Sequence, residues 1–294
     1  MTNLKFSIII PTYNRARLLN ECINSINNQK IKHFEIIIID DGSTDDTQKA
    51  VMNYKSKNKI RYYHQCNKGA ASARNLGLEK AKGQIICFTD DDCIVDKNWL
   101  INIKKTFDKT NSDAVGGSII NKTNSYIANS QYLLNFSSWM PTVKKGYVKD
   151  IPTCNIAYKK RSIKGMKFIE QKKGVGYTDT LFNMEMIKNN KRIYFNPKIK
   201  VIHNTWKYSQ LDIKKFFEIQ KRAALGFING GYQAHEKIGE ILMKHRWLNF
   251  FCPRLINVLK RGVLHKSLIK MIIYFPFIFI GEFYRNIIII FPKR

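Results

Sequence analysis

The sequence has 294 residues, of which 44% are hydrophobic, and its 50 lysines and arginines against 22 aspartates and glutamates give a formal net charge of +28. Such a chain can bury a large core, which excludes global disorder. The charge favours an anionic partner such as nucleic acid, acidic lipid or a phosphorylated substrate, although a solvated lysine-rich surface would give the same total.

The six cysteines include no C-x-x-C pair, so they predict neither a zinc site nor a disulfide framework. Several lie in apolar runs, which indicates reduced, buried thiols in a cytoplasmic protein. The chain begins a predicted strand almost at once and lacks the hydrophobic region of a signal peptide.

Predicted strands and helices alternate through the first third of the chain. The first strand is the apolar run Phe6–Ile10, and the helix after it carries apolar residues at helical spacing. Further strands are predicted over 34–39, 60–64 and 85–88, with helices over 17–28, from an N-cap at Ser43 or Thr44 to about 54, and from 70 to about 83. This repeat predicts an α/β fold with a doubly wound, mostly parallel sheet.

Two acidic loops follow two of these strands. Asp40-Asp41-Gly42 comes after the second strand, and Asp90-Asp91-Asp92 comes after the fourth. Open α/β sheets bind ligands at the carboxyl ends of their strands, and hard divalent cations take oxygen ligands. The triple aspartate therefore predicts a Mg²⁺ or Mn²⁺ site that holds a substrate diphosphate, whereas the triplet alone would fit a solvated acidic turn equally well.

Three competing motifs are absent from the sequence. No G-x-G-x-x-G follows the first strand, and no G-x-x-x-x-G-K-[ST] occurs anywhere. The Asp40 loop is not an EF-hand, because its glycine comes too early and the ligands do not alternate.

Four segments in order resemble the family 2 glycosyltransferases of GT-A fold: Ser7–Asn14, Ile38–Asp45, Ala73–Gly77 and Phe88–Asp92. The resemblance covers residues 4 to about 205. It implies an inverting, metal-dependent transfer of a sugar from a nucleotide-diphosphate sugar, with a UDP-sugar favoured, to a hydroxyl of a lipid-linked or cell-surface glycan.

The resemblance also implies the roles of individual residues. Asp92 is the metal ligand, with His203 near the metal or diphosphate, although a histidine at a strand end is as often structural. Arg74 lies near the diphosphate or braces the acidic loops, unless it is a helix-surface charge. The nucleotide-sugar site comprises Pro11, Thr12, Tyr13, Asn14, Arg15, Asp41, Gly69, Arg74, Asp90 and Asp91.

Asp179 is the candidate catalytic base. The family shows Glu-Asp before a helix here, and in this chain Thr178 replaces the glutamate while Asp179 keeps the second position. Displacement of a diphosphate by a hydroxyl needs a carboxylate that accepts the hydroxyl proton. Without the resemblance, Asp179 would be an acidic residue favoured by the helix dipole.

The chain is predicted to divide near residue 205. Residues 1–205 form the catalytic domain, with a nucleotide-sugar half up to about 120 and an acceptor half over 121–205, whose aromatic stretch 121–150 either stacks on the acceptor or packs the core. Residues 206–294 form a helical, basic, partly hydrophobic extension. Within 268–291, two apolar runs are each shorter than the ~20 residues that span a bilayer, which favours interfacial helices with basic flanks. The alternative is a helix packed on the catalytic domain.

These features predict a cytoplasmic protein, peripheral on the inner face of the cell membrane, that binds a nucleotide-sugar donor and a glycan or lipid-linked acceptor but no nucleic acid. One alternative is a nucleotidyltransferase, which would typically show a Gly-rich basic loop after the first strand. Another is a basic, non-enzymatic binding protein on a membrane surface, which would keep its ligand when metal is chelated.

Overall fold

A computed structural model describes residues 5–56, 58–122, 125–170, 178–204 and 216–221, together with 276, 279–281 and 283–284. The chain divides into two compact units. Unit 1 comprises residues 1–120, 139–173 and 178–204, and unit 2 comprises residues 121–138, 174–177 and 205–294. All the predicted site residues belong to unit 1.

Strands and helices alternate up to residue 88, as the sequence predicts for the first third of the chain. The strands are β1 (Phe6–Thr12), β2 (Phe34–Asp40), β3 (Lys59–His64), β4 (Ile85–Phe88), β5 (Cys93–Val95), β6 (Ala114–Asn121), β7 (Gly146–Val148), β8 (Ile156–Lys159) and β9 (Ile193–His203). The helices are α1 (Ala16–Asn27), α2 (Thr47–Met52), α3 (Ala70–Lys80), α4 (Trp99–Lys109), α5 (Tyr126–Phe136) and α6 (Thr178–Lys188).

The strands form one mixed sheet in the order β3-β2-β1-β4-β8-β6-β9-β5, with β7 paired to β9. The strands β3, β2, β1 and β4 run parallel. Beyond β4 the direction changes, because β8 is antiparallel to both β4 and β6. The α/β prediction is confirmed, and its parallel part is the first half of the sheet.

The hydrophobicity of β1 and β2 explains their central position. Every residue of both strands is buried, as expected for parallel strands covered on both faces. Helix α3 packs against both strands, whereas α1 packs against β5 and α2. The buried residues of α1 are spaced three or four apart: Leu18, Leu19, Cys22, Ile23 and Ile26. Because Thr12 lies opposite Asp40 in the register, the loops after β1 and β2 meet at one edge of the sheet.

Two local predictions are wrong. Helix α2 begins at Thr47 and not at a Ser43 or Thr44 cap, because the amides of Ser43 and Thr44 donate to the side chains of Asp40 and Asn14. The apolar runs 193–195 and 199–202 predict two short strands on either side of Pro197, but they form one strand, β9. Ser118 donates to the carbonyl of Pro197 at 3.0 Å, so the sheet holds this segment although proline lacks an amide donor.

The stretch 121–150, whose sequence pattern is less regular, contains helix α5, which belongs to unit 2. Most of the predicted membrane segment 268–291 lies outside the described residues. In the part of the chain that is described, no helix has both the length and the apolar character needed to cross a bilayer.

Candidate active site

A cleft of about 260 Å³ opens in unit 1 at the edge where β1, β2 and β4 end. Eight of the ten residues predicted for the nucleotide-sugar site line it, and Asn14 and Gly69 do not. The lining residues are Pro11, Thr12, Tyr13, Arg15, Asp41, Ala70, Arg74, Asp90 and Asp91. The structure therefore brings together side chains from the ends of β1, β2 and β4 and from helix α3.

Asn14 joins the loop after β1 to the loop after β2. Its backbone is left-handed, with φ of 52°, a conformation that asparagine tolerates better than most residues. The side-chain Oδ1 of Asn14 accepts a hydrogen bond from the backbone amide of Thr44 at 2.7 Å, and the backbone amide of Asn14 donates to Ser43 Oγ at 2.8 Å. Asn14 thus shapes the wall of the cleft without lining it.

Asp41 is held by three donors from the loop before α3. Its Oδ1 accepts from Gln65 Nε2 at 2.7 Å and from the amide of Lys68 at 2.8 Å, and its Oδ2 accepts from the amide of Gly69 at 2.7 Å. Gly69 has φ of 95°, which a residue with a side chain rarely adopts. The sequence did not single out Gln65, whose partner is distant along the chain.

The three consecutive aspartates have different partners. Asp90 Oδ1 accepts from Arg74 Nη2 at 3.1 Å. Asp91 accepts from Thr12 Oγ1 at 2.8 Å and from Arg15 Nη1 at 2.7 Å, and the same Arg15 nitrogen lies 3.2 Å from Asp92 Oδ2. Two arginines therefore balance part of the negative charge.

The electrostatics of the cleft reflect this crowding. Burial and the neighbouring charge of Asp92 raise the pKa of Asp91 to about 6, although Arg15 opposes the shift. Burial lowers the pKa of Arg15, but the carboxylates of Asp91 and Asp92 outweigh it and raise that pKa above its usual value. A cation bound here would be stabilised by the same carboxylates.

Asp92 and His203 lie at neighbouring positions of the sheet. Strand β5 pairs with β9 so that Cys93 is opposite His203, and His203 Nε2 is 3.5 Å from Asp92 Oδ1. The possible ligand atoms of Asp92, Cys93 and His203 all lie within 4.8 Å of one another, and all three residues are buried. A carboxylate and an imidazole are ligands that suit Mn²⁺, so these two residues fit the predicted metal.

Cys93 is the member of this group that the sequence did not predict. A hydrogen bond with Cys154, followed by burial, raises the pKa of Cys93 well above its usual value. A neutral thiol is a weak ligand compared with a thiolate. The fit to a divalent cation therefore rests on Asp92 and His203.

Asp179 lies in the first turn of α6 and is half-buried. Its Oδ1 accepts from the amide of Thr180 at 2.9 Å, and its Oδ2 accepts from the amide of Thr153 at 3.3 Å. Thr153 leads into β8, which pairs with β4 just before the triple aspartate. The pKa of Cys154 is raised overall: a hydrogen bond with Cys93 lowers it, but burial and nearby negative charge raise it more. This charge comes from Asp90, Asp179 and Asp92, so all three carboxylates act on the Cys154 thiol.

Asp150 is a second carboxyl beside α6 that no motif indicates. Burial, followed by the charge of Asp179, raises the pKa of Asp150 to about 6. Its side chain accepts from Thr180 Oγ1 at 2.9 Å and from Asn183 Nδ2 at 2.7 Å. Thr180 and Asn183 are distant from Asp150 along the chain, so the sequence alone does not indicate these hydrogen bonds.

Comparison with known proteins gives one family. The family model described as Glycosyl transferase family 2 matches residues 7–168. A relative from Campylobacter jejuni, named GalNAc(5)-diNAcBac-PP-undecaprenol beta-1,3-glucosyltransferase, is 44% identical over 91 residues, which are 30% of this chain and 29% of the relative. The matches cover between 14% and 39% of the length of the curated relatives compared.

Two solved structures have a similar fold. Mannosyltransferase PcManGT from Pyrobaculum calidifontis, in complex with GDP-Man and Mn²⁺, has a TM-score of 0.67 at 17% identity and covers 99% of this chain and 88% of its own. S. aureus TarS 1-349 in complex with UDP-GlcNAc has a TM-score of 0.52 at 21% identity and covers 95% and 89%. The predicted GT-A type of fold is thereby confirmed.

Proposed function

Because this chain belongs to glycosyl transferase family 2, we propose that it transfers a sugar, with inversion, from a nucleotide-diphosphate sugar to a hydroxyl of a lipid-linked or cell-surface glycan. The observation that carries the proposal is the cleft in which the ends of β1, β2 and β4 and helix α3 bring three carboxylates and two arginines together, namely Asp41, Asp90, Asp91, Arg15 and Arg74. A nucleotide sugar offers a polar base and ribose for the carboxylates and a diphosphate for the cations.

The diphosphate end of the donor requires positive charge. Arg74 lines the cleft, and its Nε is buried with no hydrogen-bond partner among the described residues. A buried donor without a partner costs about 1–3 kcal/mol, so a ligand oxygen that accepts from it would be favoured. Arg74 is thus suited to bind a diphosphate oxygen while its Nη2 stays with Asp90.

Asp92 and His203 would hold Mn²⁺ or Mg²⁺ in this proposal. When bound, the ion acts as a Lewis acid that neutralises charge on the leaving diphosphate. Arg15, which contacts both Asp91 and Asp92, would orient these carboxylates and limit their mutual repulsion.

Asp179 would act as the general base. Its carboxylate accepts the proton of the acceptor hydroxyl while that oxygen forms a bond to the anomeric carbon. The bond from that carbon to the diphosphate breaks, and its electron pair leaves with the diphosphate. Two backbone amides orient the carboxylate, so it needs little rearrangement before it accepts the proton.

A UDP-sugar is the favoured donor, and the C. jejuni relative's name, which includes undecaprenol, motivates a lipid-linked acceptor. We test the donor by thermal shift with UDP-, GDP- and dTDP-sugars, each with Mn²⁺ and with EDTA. A donor that binds only the native state raises the unfolding temperature. One nucleotide sugar should do so with Mn²⁺ and lose most of the effect in EDTA, while no shift with any sugar would contradict the proposal.

A further inference from the structure

Four hydrogen bonds join the segment Asp150–Thr153 to the first two turns of α6. Thr180 Oγ1 donates to Asp150 Oδ2 at 2.9 Å, and Asn183 Nδ2 donates to Asp150 Oδ1 at 2.7 Å and to the carbonyl of Ile151 at 2.9 Å. The amide of Thr153 donates to Asp179 Oδ2 at 3.3 Å. Both oxygens of Asp150 are therefore directed at the helix that carries the proposed base.

Thr180 connects the two carboxyl groups directly. Its hydroxyl donates to Asp150, and its amide donates to Asp179 Oδ1 at 2.9 Å. A single residue thus sets the orientation of both side chains. The two carboxyls are close enough that the charge of Asp179 acts on Asp150.

The surroundings supply little positive charge to this pair. From α6 the pair meets the neutral side chains of Thr180 and Asn183, and from β8 it meets Tyr158, whose hydroxyl donates to Asn183 Oδ1 at 2.7 Å. The Trp139 indole donates to the backbone carbonyl of Asp150 at 3.1 Å. The charge of Arg74 in α3 lowers the pKa of Tyr158, although burial and the charges of Asp150 and Asp179 raise it overall. Arg74 itself is paired with Asp90. None of the ion pairs found among the described residues includes Asp150 or Asp179.

We propose that Asp150 is a positioning residue for the base Asp179, whose negative charge, held in place by Thr180 and Asn183, makes Asp179 a stronger proton acceptor. A carboxylate next to a fixed negative charge gains a proton more readily than an isolated one, and general bases work best when their affinity for the proton suits neutral pH. The inference rests on the proposed function, because it assigns a partner to the base of that reaction.

The pair gives the enzyme a pH dependence with a defined sign. The raised pKa of about 6 means that Asp150 is charged above that pH and neutral below it. Above pH 6 the charge assists Asp179, and below pH 6 the assistance is lost. The parent enzyme should therefore show a step in kcat near pH 6, with the faster rate on the alkaline side.

Asp150→Asn tests this directly, because it fixes the neutral state at all pH values. We expect kcat with the donor found by thermal shift to fall about tenfold above pH 6, to stay flat through pH 6, and to equal the low-pH rate of the parent. The KM for the nucleotide sugar should change less than about twofold, since the donor contacts lie on other loops. Asp150→Ser repeats the test without an amide facing Asn183.

Two variants separate charge from hydrogen bonding. Thr180→Val removes the hydroxyl donor but leaves both charges, and Glu185→Gln neutralises an exposed carboxyl on the same helix. Glu185→Gln should keep the step near pH 6, whereas Thr180→Val should keep a step but move it to higher pH, because the Thr180 hydroxyl lowers the pKa of Asp150. If Asp150→Asn and Asp150→Ser keep the step and the parent rate, or if Thr180→Val abolishes the step as well, the proposal is overturned.

A measurement without catalysis separates this inference from the proposed function. The folded parent keeps the Asp150 proton up to about pH 6, whereas an unfolded aspartate releases it near pH ~3.9. As the pH rises from ~3.9 to about 6, the parent therefore loses stability relative to Asp150→Asn. The difference in unfolding temperature between the two proteins should grow by at least about 2 °C over this range. A constant difference overturns the carboxyl pair, while a growing difference with no turnover by the parent contradicts only the proposed function.

Discussion

Each of the three consecutive aspartates contacts one of the two arginines of the cleft. Arg74 contacts Asp90, and Arg15 contacts Asp91 and Asp92. Of these carboxylates, Asp92 alone lies beside an imidazole, that of His203. Asp92 is therefore the best suited of the three to bind a metal, and its substitution should leave the Arg15–Asp91 and Arg74–Asp90 contacts in place.

Asp92→Asn should abolish Mn²⁺-dependent transfer while preserving the fold. The amide keeps the size of the side chain but loses the charge, and metal assistance is worth several kcal/mol, so transfer should fall at least about 100-fold. Mn²⁺ titration by calorimetry and a transfer assay would measure the effect. Asp108→Asn is the control, because Asp108 is an exposed carboxylate in a helix ion pair. Undiminished turnover in Asp92→Asn would show that the metal is bound elsewhere or not used.

Asp179→Asn should separate catalysis from donor binding. An asparagine keeps the hydrogen bond with Thr180 but cannot accept the acceptor proton, and general base catalysis contributes about 10²–10⁴-fold. Transfer should fall by that factor while nucleotide-sugar affinity, measured by calorimetry, stays near that of the parent. Transfer at the parent rate would exclude Asp179 as the base, and loss of donor affinity would make it a donor-site residue.

Close contacts in the second half of the sheet hold β9 against β6. At Gly117 of β6, a Cβ atom would lie 2.0 Å from the carbonyl oxygen of Ile199 and 2.5 Å from that of Asn196. Both are backbone atoms of β9, the strand that carries His203 to the site. A side chain at this position would push β9 away from β6.

Gly117→Ala should therefore destabilise unit 1. Overpacking costs about 1–3 kcal/mol, and more where backbone must move, so the midpoint of chemical unfolding should drop measurably. Gly146→Ala in β7 is the matched control, since a Cβ atom there meets nothing within 4 Å. Its stability should stay within about 0.5 kcal/mol of the parent. Equal stability of both variants would mean that β6 and β9 are less closely packed than described.

The same elements show what the sequence predicts and what it does not. The buried strands β1, β2 and β4 are largely apolar, with Ser7 and Glu35 as internal exceptions, and polar loops follow them, so their existence and their ligand end follow from local pattern. The antiparallel half is set by pairings between distant segments, such as Cys93 with His203, which local hydrophobicity does not encode. The Asp150–Thr180 contact is missed for the same reason, because neither residue lies in a motif.

At the scale of the whole molecule, the net charge of +28 and the apolar C-terminal region point to a membrane surface. The basic residues Lys260, Arg261, Lys266 and Lys270 lie outside the described part of the chain. Among the described residues of unit 2, Phe279, Ile280 and Phe283 are exposed. Tyr284, in contrast, contacts Phe217 with ring centroids 4.8 Å apart, so this region also contributes to packing within unit 2.

Peripheral binding on the inner face of the cell membrane is the proposal that these features support, and vesicle sedimentation tests it. Full-length protein should sediment with vesicles that contain anionic lipid and should be released by high salt, because each basic residue near such a surface contributes about 1 kcal/mol. Deletion of residues 271–294 should leave the protein in the supernatant.

The deletion alone could act by unfolding unit 2, since it removes Tyr284. The double variant Phe279→Ser and Phe283→Ser removes the stacked pair of exposed rings and leaves the Tyr284–Phe217 contact, so it should lower the unfolding temperature less than the deletion does. If the region inserts into the interface, this variant sediments less than the parent at equal ionic strength. If it sediments equally, or if the full-length protein never sediments with anionic vesicles, the apolar residues belong to the packing of unit 2 and the membrane proposal is wrong.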